Sequence, residues 1–338
     1  MPQTHIAAGS SIPGLRIAGT GRYLPRHRLL SREIDARLGW PEGEVEARFG
    51  IHARHVAEGE ETSSMMAAQA SRAALNVAGI QPDELDLIIG ACGVMEQAIP
   101  STATLVQNRL GLGQSGIGAY DVNATCLSFL QALDLAAMKI VLGRAQKVLI
   151  FSADIASVGL DWSRPDVAAI FGDGAAAVVL TANGEGVLAS RFETYSEGAK
   201  ACLLEGGGTR ITAAVDRDAA AKASYFQMDG HLAYRVAARR MPRFLRSLLG
   251  EAGVTPEELA CIIPHQASAQ GLEHSAGRLG ISGDKVVQTF TQFGNQIATS
   301  IPTALHEAIE SGRLKRGDLA LMIGTSAGIS LGGAVVRY

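Results

Sequence analysis

The sequence has few cysteines, and they are widely separated. The four are Cys92, Cys126, Cys202 and Cys261, and no two of them form a CxxC pair. This spacing argues against both a disulfide framework and a structural zinc site. We therefore expect reduced thiols, no metal and a cytoplasmic location.

The sequence also lacks a strong net charge, basic runs and long apolar segments. Its formal net charge is −3, so a nucleic-acid partner has no electrostatic support. No apolar stretch approaches the length of a membrane span. The N-terminus MPQTHIAAGSSIPG has no basic start followed by an apolar run, which argues against a secretory signal. With 338 residues, of which 47% are hydrophobic, the chain is long enough for two well-packed units.

One segment of the sequence occurs twice. AGIQPDELDLII at 78–89 is repeated as AGVTPEELACII at 252–263, an offset of 174. Two later landmarks, RLG and Gly-Arg, recur at an offset of 169; they lie at 109–111 and 278–280, and at 143–144 and 312–313. A register kept over this length indicates duplication of a whole α/β unit and not a short solenoid repeat. We predict two halves, 1–183 and 184–338, related by a pseudo-twofold axis.

Strand-like and helix-like segments alternate through both halves. The alternation predicts mixed, mostly parallel sheets covered by helices. KVVQTF (285–290) has the composition of a strand, and Pro242 is expected to kink or break the helix around it. The glycines of FGDG (171–174) are expected to satisfy backbone geometry and not to hold a phosphate.

Three chemically capable residues follow predicted strands. Cys126 precedes an amphipathic helix, whose N-terminal N–H groups favour a nucleophilic thiolate. An offset of 169 maps Cys126 onto Asn295, so the two halves are predicted to place these residues at equivalent positions. His265 ends another strand, where α/β proteins commonly bind ligands. Together they supply a nucleophile, an imidazole and an amide donor for acyl transfer, although Cys126 as a buried apolar residue and His265 as a structural residue remain alternatives.

An ordered set of segments carries a family resemblance. GRYLP, PSTATLVQNRLG, DVNATCLSF, IFGDGAAAVVL, PHQAS, FGNQIATSIP and GGAVVRY occur in the order typical of thiolase-fold condensing enzymes. The chain most resembles the beta-ketoacyl-acyl carrier protein synthase III group, which starts fatty-acid or polyketide chains. The resemblance implies a duplicated five-layer αβαβα architecture and a homodimer. It also implies coenzyme A or phosphopantetheine thioesters as substrates, acyl carrier protein as a partner, and no permanently bound cofactor.

The resemblance also implies a role for particular residues. Cys126 would take the acyl group, and His265 and Asn295 would hold the malonyl thioester while carbon dioxide leaves. The backbone N–H groups of Cys126 and Ala327 would form the oxyanion hole. The remaining implied positions are the coenzyme A mouth and tunnel (Arg48, Gly230, Ser268), the acyl pocket (Ile99, Thr325) and the carrier-protein contact (Arg235, Arg278).

Four positions depart from the family pattern, and all concern substrate handling. Glu44 stands where a tryptophan often stacks on adenine, and Phe293 replaces the histidine of the usual HGN. Ile99 and Thr325 replace bulky phenylalanines near the acyl pocket. These changes predict a primer other than acetyl-coenzyme A. Acyl transfer to oxygen or nitrogen, and head-to-head condensation of acyl thioesters using Glu96, are further hypotheses.

Three alternatives to a condensing enzyme are a serine hydrolase, a metal site and a non-catalytic relative. GTSAG (324–328) matches the nucleophile elbow of serine hydrolases, with Ser326 as nucleophile, but no histidine follows it. His52 and His55 could form a metal pair, although no further ligand cluster accompanies them. A non-catalytic relative that keeps the fold is the remaining alternative.

Overall fold

A computed structural model describes residues 14–268 and 282–338 of the protein. The strands in these residues are β1 (Arg16–Tyr23), β2 (His27–Leu30), β3 (Ala53–Val56), β4 (Leu87–Gly90), β5 (Gly118–Asp121), β6 (Lys147–Asp154), β7 (Gly174–Thr181), β8 (Val187–Thr194), β9 (Cys202–Leu203), β10 (Gln227–Met228), β11 (Leu259–Pro264), β12 (Leu319–Ser326) and β13 (Ser330–Arg337). The helices are α1 (Ser31–Leu38), α2 (Glu44–Phe49), α3 (Ser63–Ala78), α4 (Thr102–Arg109), α5 (Ser128–Val141), α6 (Pro165–Ala168), α7 (Arg217–Ala223), α8 (Gly230–Ala252), α9 (Phe290–Phe293) and α10 (Ser300–Glu310).

Two sheets with the same strand order form the framework. The first has the order β1-β7-β6-β4-β5, and the second has the order β8-β13-β12-β11. Val286 pairs in parallel with Ile262 of β11, at the place that β5 occupies beside β4 in the first sheet. The sheets are mixed, but the expectation that they are mostly parallel is wrong. Antiparallel pairing joins β1 to β7, β7 to β6, β12 to β13 and β13 to β8.

The repeated segment forms the same structure in both halves. Helices α3 and α8 end at Gly79 and Gly253, each with φ 66°. A 3₁₀ turn follows each helix, and its glutamate accepts a hydrogen bond at 2.8 Å from the backbone three residues earlier. This local geometry needs a left-handed glycine followed by a capping glutamate, which explains why both copies keep these residues.

Five layers stack through the molecule. Helices α3 and α4 cover the outer face of the first sheet, where Met66, Leu75 and Val106 pack with strand residues such as Ile88. Helices α5 and α10 lie between the two sheets in one shared core. Helix α8 covers the second sheet through a row of leucines and Phe244. This is the predicted αβαβα architecture, in which apolar faces of both sheets are buried.

Two local predictions are corrected by the structure. Helix α8 runs without a break through Pro242, so the break is wrong. KVVQTF is not a strand beyond the bridge at Val286, because the Gln266 side chain takes the backbone N–H groups of Thr289 and Phe290 at 3.0 and 3.1 Å. Those donors are then not available for pairing with another strand.

Within the described ranges, no helix combines the length and apolar character that crossing a bilayer requires. The same residues contain no group of three or more His, Cys, Asp or Glu side chains that could hold a metal.

Candidate active site

Cys126 lies in a 3₁₀ turn, Thr125–Leu127, between β5 and α5. Thr125 has φ 52°, an uncommon value for a residue with a Cβ. Its N–H donates to Asn123 Oδ1 at 2.8 Å, and Ser128 Oγ accepts the N–H of the residue before Thr125 at 2.9 Å. Polar side chains on both sides therefore hold the turn at the start of α5.

Two backbone N–H groups act on the sulfur of Cys126. They belong to Cys126 itself and to Ala327, in the turn between β12 and β13, and both lower the pKa of the thiol. Burial has the larger, opposite effect, and with the nearby Asp154 charge it raises the pKa to about 12. The N–H groups favour the thiolate, as expected from the position before α5, but desolvation outweighs their effect. Two backbone N–H groups that converge on one sulfur can also stabilise an oxyanion that forms on a carbon bonded to that sulfur.

Asn295 lies in a second turn with the same construction. Its Oδ1 accepts the N–H of Ile297 at 2.9 Å, Ile297 has φ 52°, and Ser300 Oγ accepts the N–H of Gln296 at 3.1 Å. These contacts match those around Cys126 at an offset of 172.

The predicted equivalence of Cys126 and Asn295 is therefore wrong. At an offset of 172 the counterpart of Cys126 is Ala298, and that of Asn295 is Asn123. The difference of three residues arises in the following helices, since α5 has 14 residues and α10 has 11. The Gly-Arg landmark beyond these helices, at 143–144 and 312–313, follows the offset of 169 for this reason, whereas the RLG landmark lies before them.

His265 follows β11 and is buried, with 5% exposure. Burial lowers its pKa to about 4, so the imidazole is neutral near pH 7. Its Nδ1 has no hydrogen-bond partner among the described residues. The surroundings of Gly324 in β12 show which residues lie near His265. A Cβ on Gly324 would lie 2.7 Å from His265 Cβ and 3.2 Å from Leu127 Cδ2, so His265 lies beside the residue that follows Cys126.

The turns of Cys126 and Asn295 meet at Gly93. A Cβ on Gly93 would collide with the Ile297 side chain and would lie 3.4 Å from the Thr125 carbonyl oxygen. The site is therefore assembled from both halves, with Cys126 from the first and His265 and Asn295 from the second. Asn295 is buried, and its Nδ2 donates to no other described residue, which leaves the amide available to a substrate oxygen.

The FGDG segment holds the backbone of Asn295. The N–H of Asn295 donates to Ile170 O at 2.8 Å, and the N–H of Gly172 donates to Asn295 O at 3.2 Å. A Cβ on Gly172 would collide with the carbonyl oxygen of Phe293. The prediction that these glycines satisfy backbone geometry is confirmed.

Sequence reasoning missed Asp154, the last residue of β6. The carboxylate is fully buried and accepts four hydrogen bonds, from Gly93, Val94 and two donors of Thr299. Burial raises its pKa to about 6, against the effect of these donors. An aspartate ending the apolar strand KVLIFSAD was a usable signal, because burying a carboxylate there requires compensating donors.

Three of the other implied substrate residues lie on helices α2 and α8. Arg48 of α2 stacks over Trp40 at 4.4 Å and pairs with Glu44 at 2.6 Å. Gly230 is the first residue of α8, and Arg235 is exposed on the same helix. Sequence reasoning did not single out Trp40. Its position, four residues before Glu44, where the family tryptophan would fall, was a usable signal.

The two acyl-pocket residues, and the remaining residues implied by the resemblance, differ in their exposure. Ile99 is 85% exposed, whereas Thr325 is half-buried in β12, two residues before Ala327. Ser268 is half-buried after β11. Arg278 lies outside the described residues.

The structure does not support a serine-hydrolase function for GTSAG or a metal pair at His52 and His55. Ser326 ends β12 and leads into the antiparallel strand β13, not into the helix that a nucleophile elbow requires. His52 Nδ1 pairs with Glu46 at 2.9 Å, and His55 Nδ1 lies 2.6 Å from Pro25 O. These histidines are engaged separately and do not form a metal pair.

Comparisons with known proteins agree with this geometry. Residues 120–198, which include Cys126, match the family described as 3-oxoacyl-[acyl-carrier-protein] synthase III. Residues 249–338, which include His265 and Asn295, match the C-terminal part of the same family.

Similar proteins extend over almost the whole chain. The beta-ketoacyl-[acyl-carrier-protein] synthase III of Aquifex aeolicus is 38% identical over 96% of this chain and 100% of its own, and that of Neisseria meningitidis is 36% identical over 96% and 99%. A crystal structure of the Aquifex aeolicus enzyme superimposes with a TM-score of 0.87 at 37% identity, covering 96% of this chain and 100% of that one. The priming beta-ketosynthase of the R1128 polyketide pathway superimposes with a TM-score of 0.89 at 28% identity, covering 96% of both chains.

Proposed function

Because the chain belongs to the 3-oxoacyl-[acyl-carrier-protein] synthase III family of thiolase-fold condensing enzymes, we propose that Cys126, His265 and Asn295 carry out its chemistry. The enzyme is an acyltransferase that loads an acyl group from a thioester onto a cysteine. It then condenses this group, with decarboxylation, with a malonyl thioester to give a 3-oxoacyl thioester. The observation that carries the assignment is the pair of N–H groups, from Cys126 and Ala327, at the Cys126 sulfur.

The first half-reaction takes place at Cys126. Its sulfur attacks the thioester carbonyl, and the oxyanion of the tetrahedral intermediate accepts hydrogen bonds from the N–H groups of Cys126 and Ala327. The carbon–sulfur bond to the donor thiol breaks, and that thiol leaves with the proton that Cys126 loses. Because the pKa of the resting thiol is about 12, this proton leaves only as the donor binds and reacts.

The second half-reaction uses the residues of the C-terminal half. The malonyl carboxylate leaves as carbon dioxide, and its bonding electrons become an enolate whose oxygen accepts hydrogen bonds from His265 and the Asn295 amide. A neutral imidazole serves here as a hydrogen-bond donor, consistent with the lowered pKa of His265. The enolate carbon attacks the acyl carbonyl, the bond to Cys126 breaks, and the released thiolate takes up one proton.

The substrate arm reaches this centre past Arg48. This guanidinium and the ring of Trp40 present a charged and an aromatic surface, suited to a phosphorylated adenine nucleotide, in place of the stacking residue missing at Glu44. Gly230 and Ser268 lie along the proposed tunnel. No permanently bound cofactor enters this scheme, because the thioester itself carries the reacting group.

The acyl pocket and the homodimer are linked at Ile99. A large apolar side chain that is 85% exposed in one subunit is suited to contact a second copy. We place Ile99 at the acyl pocket of the partner subunit, opposite Thr325. Both residues are smaller than phenylalanine, which supports a primer longer or more branched than acetyl.

The carrier protein is proposed to dock on α8. Arg235, Arg239, Arg243 and Arg246 are exposed at helical spacing, and this row is complementary to an acidic carrier protein. Arg278 is proposed to add to this surface. The four free cysteines support a location in the reducing cytoplasm.

Head-to-head condensation is less well supported. Glu96, its candidate base, accepts the N–H of Ser64 at 2.5 Å at the start of α3. Its carboxylate is thus already used to cap a helix.

The test is a two-stage assay with a panel of acyl-coenzyme A and acyl carrier protein thioesters. Intact and peptide mass should show one adduct, on Cys126, which malonyl thioester then releases as a 3-oxoacyl product with one carbon dioxide. Cys126→Ala is the control. An adduct elsewhere would refute the nucleophile, and product formation without carbon dioxide would refute the decarboxylative route.

A further inference from the structure

Asp154 occupies the boundary between the two halves. It ends β6 in the first sheet and has no exposed surface. Strands β6 and β12 are counterparts of eight residues each, so the counterpart of Asp154 is the neutral Ser326. A buried charge has therefore been placed at one of two equivalent strand ends, where it is costly unless hydrogen-bonded.

Each oxygen of Asp154 binds a different half of the molecule. Oδ1 accepts the N–H groups of Gly93 and Val94 at 2.7 and 2.9 Å. Oδ2 accepts the N–H and the hydroxyl of Thr299 at 3.1 and 3.0 Å. Four donors satisfy the four lone-pair sites of a carboxylate, which defines its orientation.

The two bound segments lead directly to the reacting groups. Gly93 packs against the Thr125 carbonyl and the Ile297 side chain, so its loop touches the turns of both Cys126 and Asn295. Thr299 ends the 3₁₀ turn that begins at Ile297, whose N–H is held by Asn295 Oδ1. One carboxylate thus connects the loop beside the nucleophile to the turn that carries the amide donor.

We propose that Asp154 is a positioning residue for the condensation step, which fixes the Asn295 amide relative to the acyl group on Cys126. It contacts neither substrate in this scheme. The inference rests on the proposed role of Asn295. Displacement of a reacting group by about 1 Å can cost about 100-fold in rate, so loss of this connection has a large effect without removal of any catalytic atom.

The proposal predicts that Asp154→Asn slows decarboxylation without slowing the reaction of the Cys126 thiol. The asparagine side chain has an NH₂ group in place of one carboxylate oxygen. This NH₂ group would face N–H or O–H donors, so the hydrogen bonds to Thr299 or to the Gly93 loop are lost. We expect decarboxylation to fall about 10- to 100-fold. The negative charge of Asp154 contributes to the raised pKa of the Cys126 thiol. Alkylation of Cys126 by iodoacetamide should therefore stay constant or become faster.

The experiment measures both rates in the full-length enzyme. Carbon dioxide release is followed with malonyl-coenzyme A and malonyl carrier protein, using whichever the wild type turns over faster. Alkylation of Cys126 by iodoacetamide is followed by mass spectrometry. Glu61→Gln is the matched control, because Glu61 is also a buried carboxylate and accepts its hydrogen bonds from Tyr23, Arg26 and Glu58, none of which belongs to either turn. It should change both rates alike.

A second pair of variants, at Thr299, tests the proposal even if Asp154→Asn does not fold. Thr299→Val removes one hydrogen bond to Asp154 at nearly constant shape, and Thr299→Ser keeps it. We expect about a tenfold loss of decarboxylation in the first and little in the second, with alkylation unchanged in both. Equal loss of both rates, or no loss of decarboxylation, in Asp154→Asn and Thr299→Val would overturn the proposal. Full decarboxylation in Asn295→Ala would instead overturn the proposed role of Asn295.

Discussion

The turn that carries Cys126 and the turn that carries Ala298 have the same backbone and different side chains. Each begins at a non-glycine residue with φ 52°, each is held by an asparagine, Asn123 or Asn295, and each leads into a central helix. Strand pairing confirms the correspondence, because Leu87 pairs with Val148 in one sheet as Cys261 pairs with Ala320 in the other. The chain thus contains two similar turns at corresponding positions in its two sheets.

In the proposed mechanism, the chemistry is concentrated at only one of the two turns. Cys126 has Ala298 as its counterpart, and His265 has the buried Ala91. At the ends of β12 and β6, the counterpart of Ser326 is Asp154, whose carboxylate binds the second turn. The difference shows how a symmetric fold yields one asymmetric site. In the proposed mechanism, one turn keeps its N–H groups for the substrate, while the Asp154 carboxylate binds the other turn.

The largest expected effect comes from moving the nucleophile between the turns. Cys126→Ala should lower condensation by about 10⁴-fold or more, because no group replaces the acyl carrier. Ala298→Cys in that background should not restore it, since Ala298 has no exposed surface and the second turn lacks an imidazole. Product formation and adduct mass provide the measurement. Acylation of the new cysteine at position 298 would show that the backbone turn alone creates the site.

The two asparagines give the next comparison. Each side chain accepts one backbone N–H, so Asn123→Ala and Asn295→Ala should each lower stability by about 1 kcal/mol. Only Asn295→Ala should lower malonyl decarboxylation by about 100-fold, because it also removes a donor to the enolate. Thermal unfolding and carbon dioxide release separate the two effects. Similar losses of decarboxylation in both variants would mean that Asn295 acts through the backbone alone.

A third comparison uses the opposite pH linkage of two buried groups. The pKa of His265 falls from 6.5 to about 4, so in this range the unfolded chain binds the extra proton and stability rises with pH. The pKa of Asp154 rises from 3.8 to about 6, so here the folded chain binds the extra proton and stability falls as pH rises. Each contribution has a slope of up to about 1.4 kcal/mol per pH unit.

Single substitutions should expose these contributions. Relative to the wild type, His265→Asn should make the slope of stability against pH more negative, and Asp154→Asn should make it more positive. Urea unfolding at several values between about pH 4.5 and 6.5 measures both slopes. Parallel curves for the wild type and both variants would contradict the assigned pKa directions.

Much of this structure could be predicted from residue patterns. The duplicated segment was enough to predict the repeated helix–turn–strand unit, because its glycine, proline and glutamate specify local geometry wherever they occur. The proposed roles of Cys126, His265 and Asn295 rest on their position after strands together with the family resemblance. The offset of 169 gave the wrong counterpart for Cys126, because α10 is three residues shorter than α5 and the offset is 172 before these helices.

Properties set by tertiary surroundings were not accessible from the sequence. The position of Cys126 before a helix suggested a thiolate, but its pKa depends on burial and on Asp154, which is 28 residues away in the chain. KVVQTF has strand composition, yet the side chain of Gln266 takes its backbone donors. In both cases, contacts distant in sequence override a correct local tendency.

The smallest expected effect distinguishes the outer helices, which are also counterparts. Helix α3 packs through buried alanines, whereas α8 exposes Arg235 and Arg239 at helical spacing. Arg235→Ala combined with Arg239→Ala should raise KM for carrier-protein thioesters about 3-fold at low salt, because rim charges mainly affect association. Arg72→Ala on α3 is the matched control and should leave this KM unchanged. Coenzyme A thioesters should be used equally well by all three proteins, and an equal rise in their KM would place the two arginines in the substrate path and not at a docking surface.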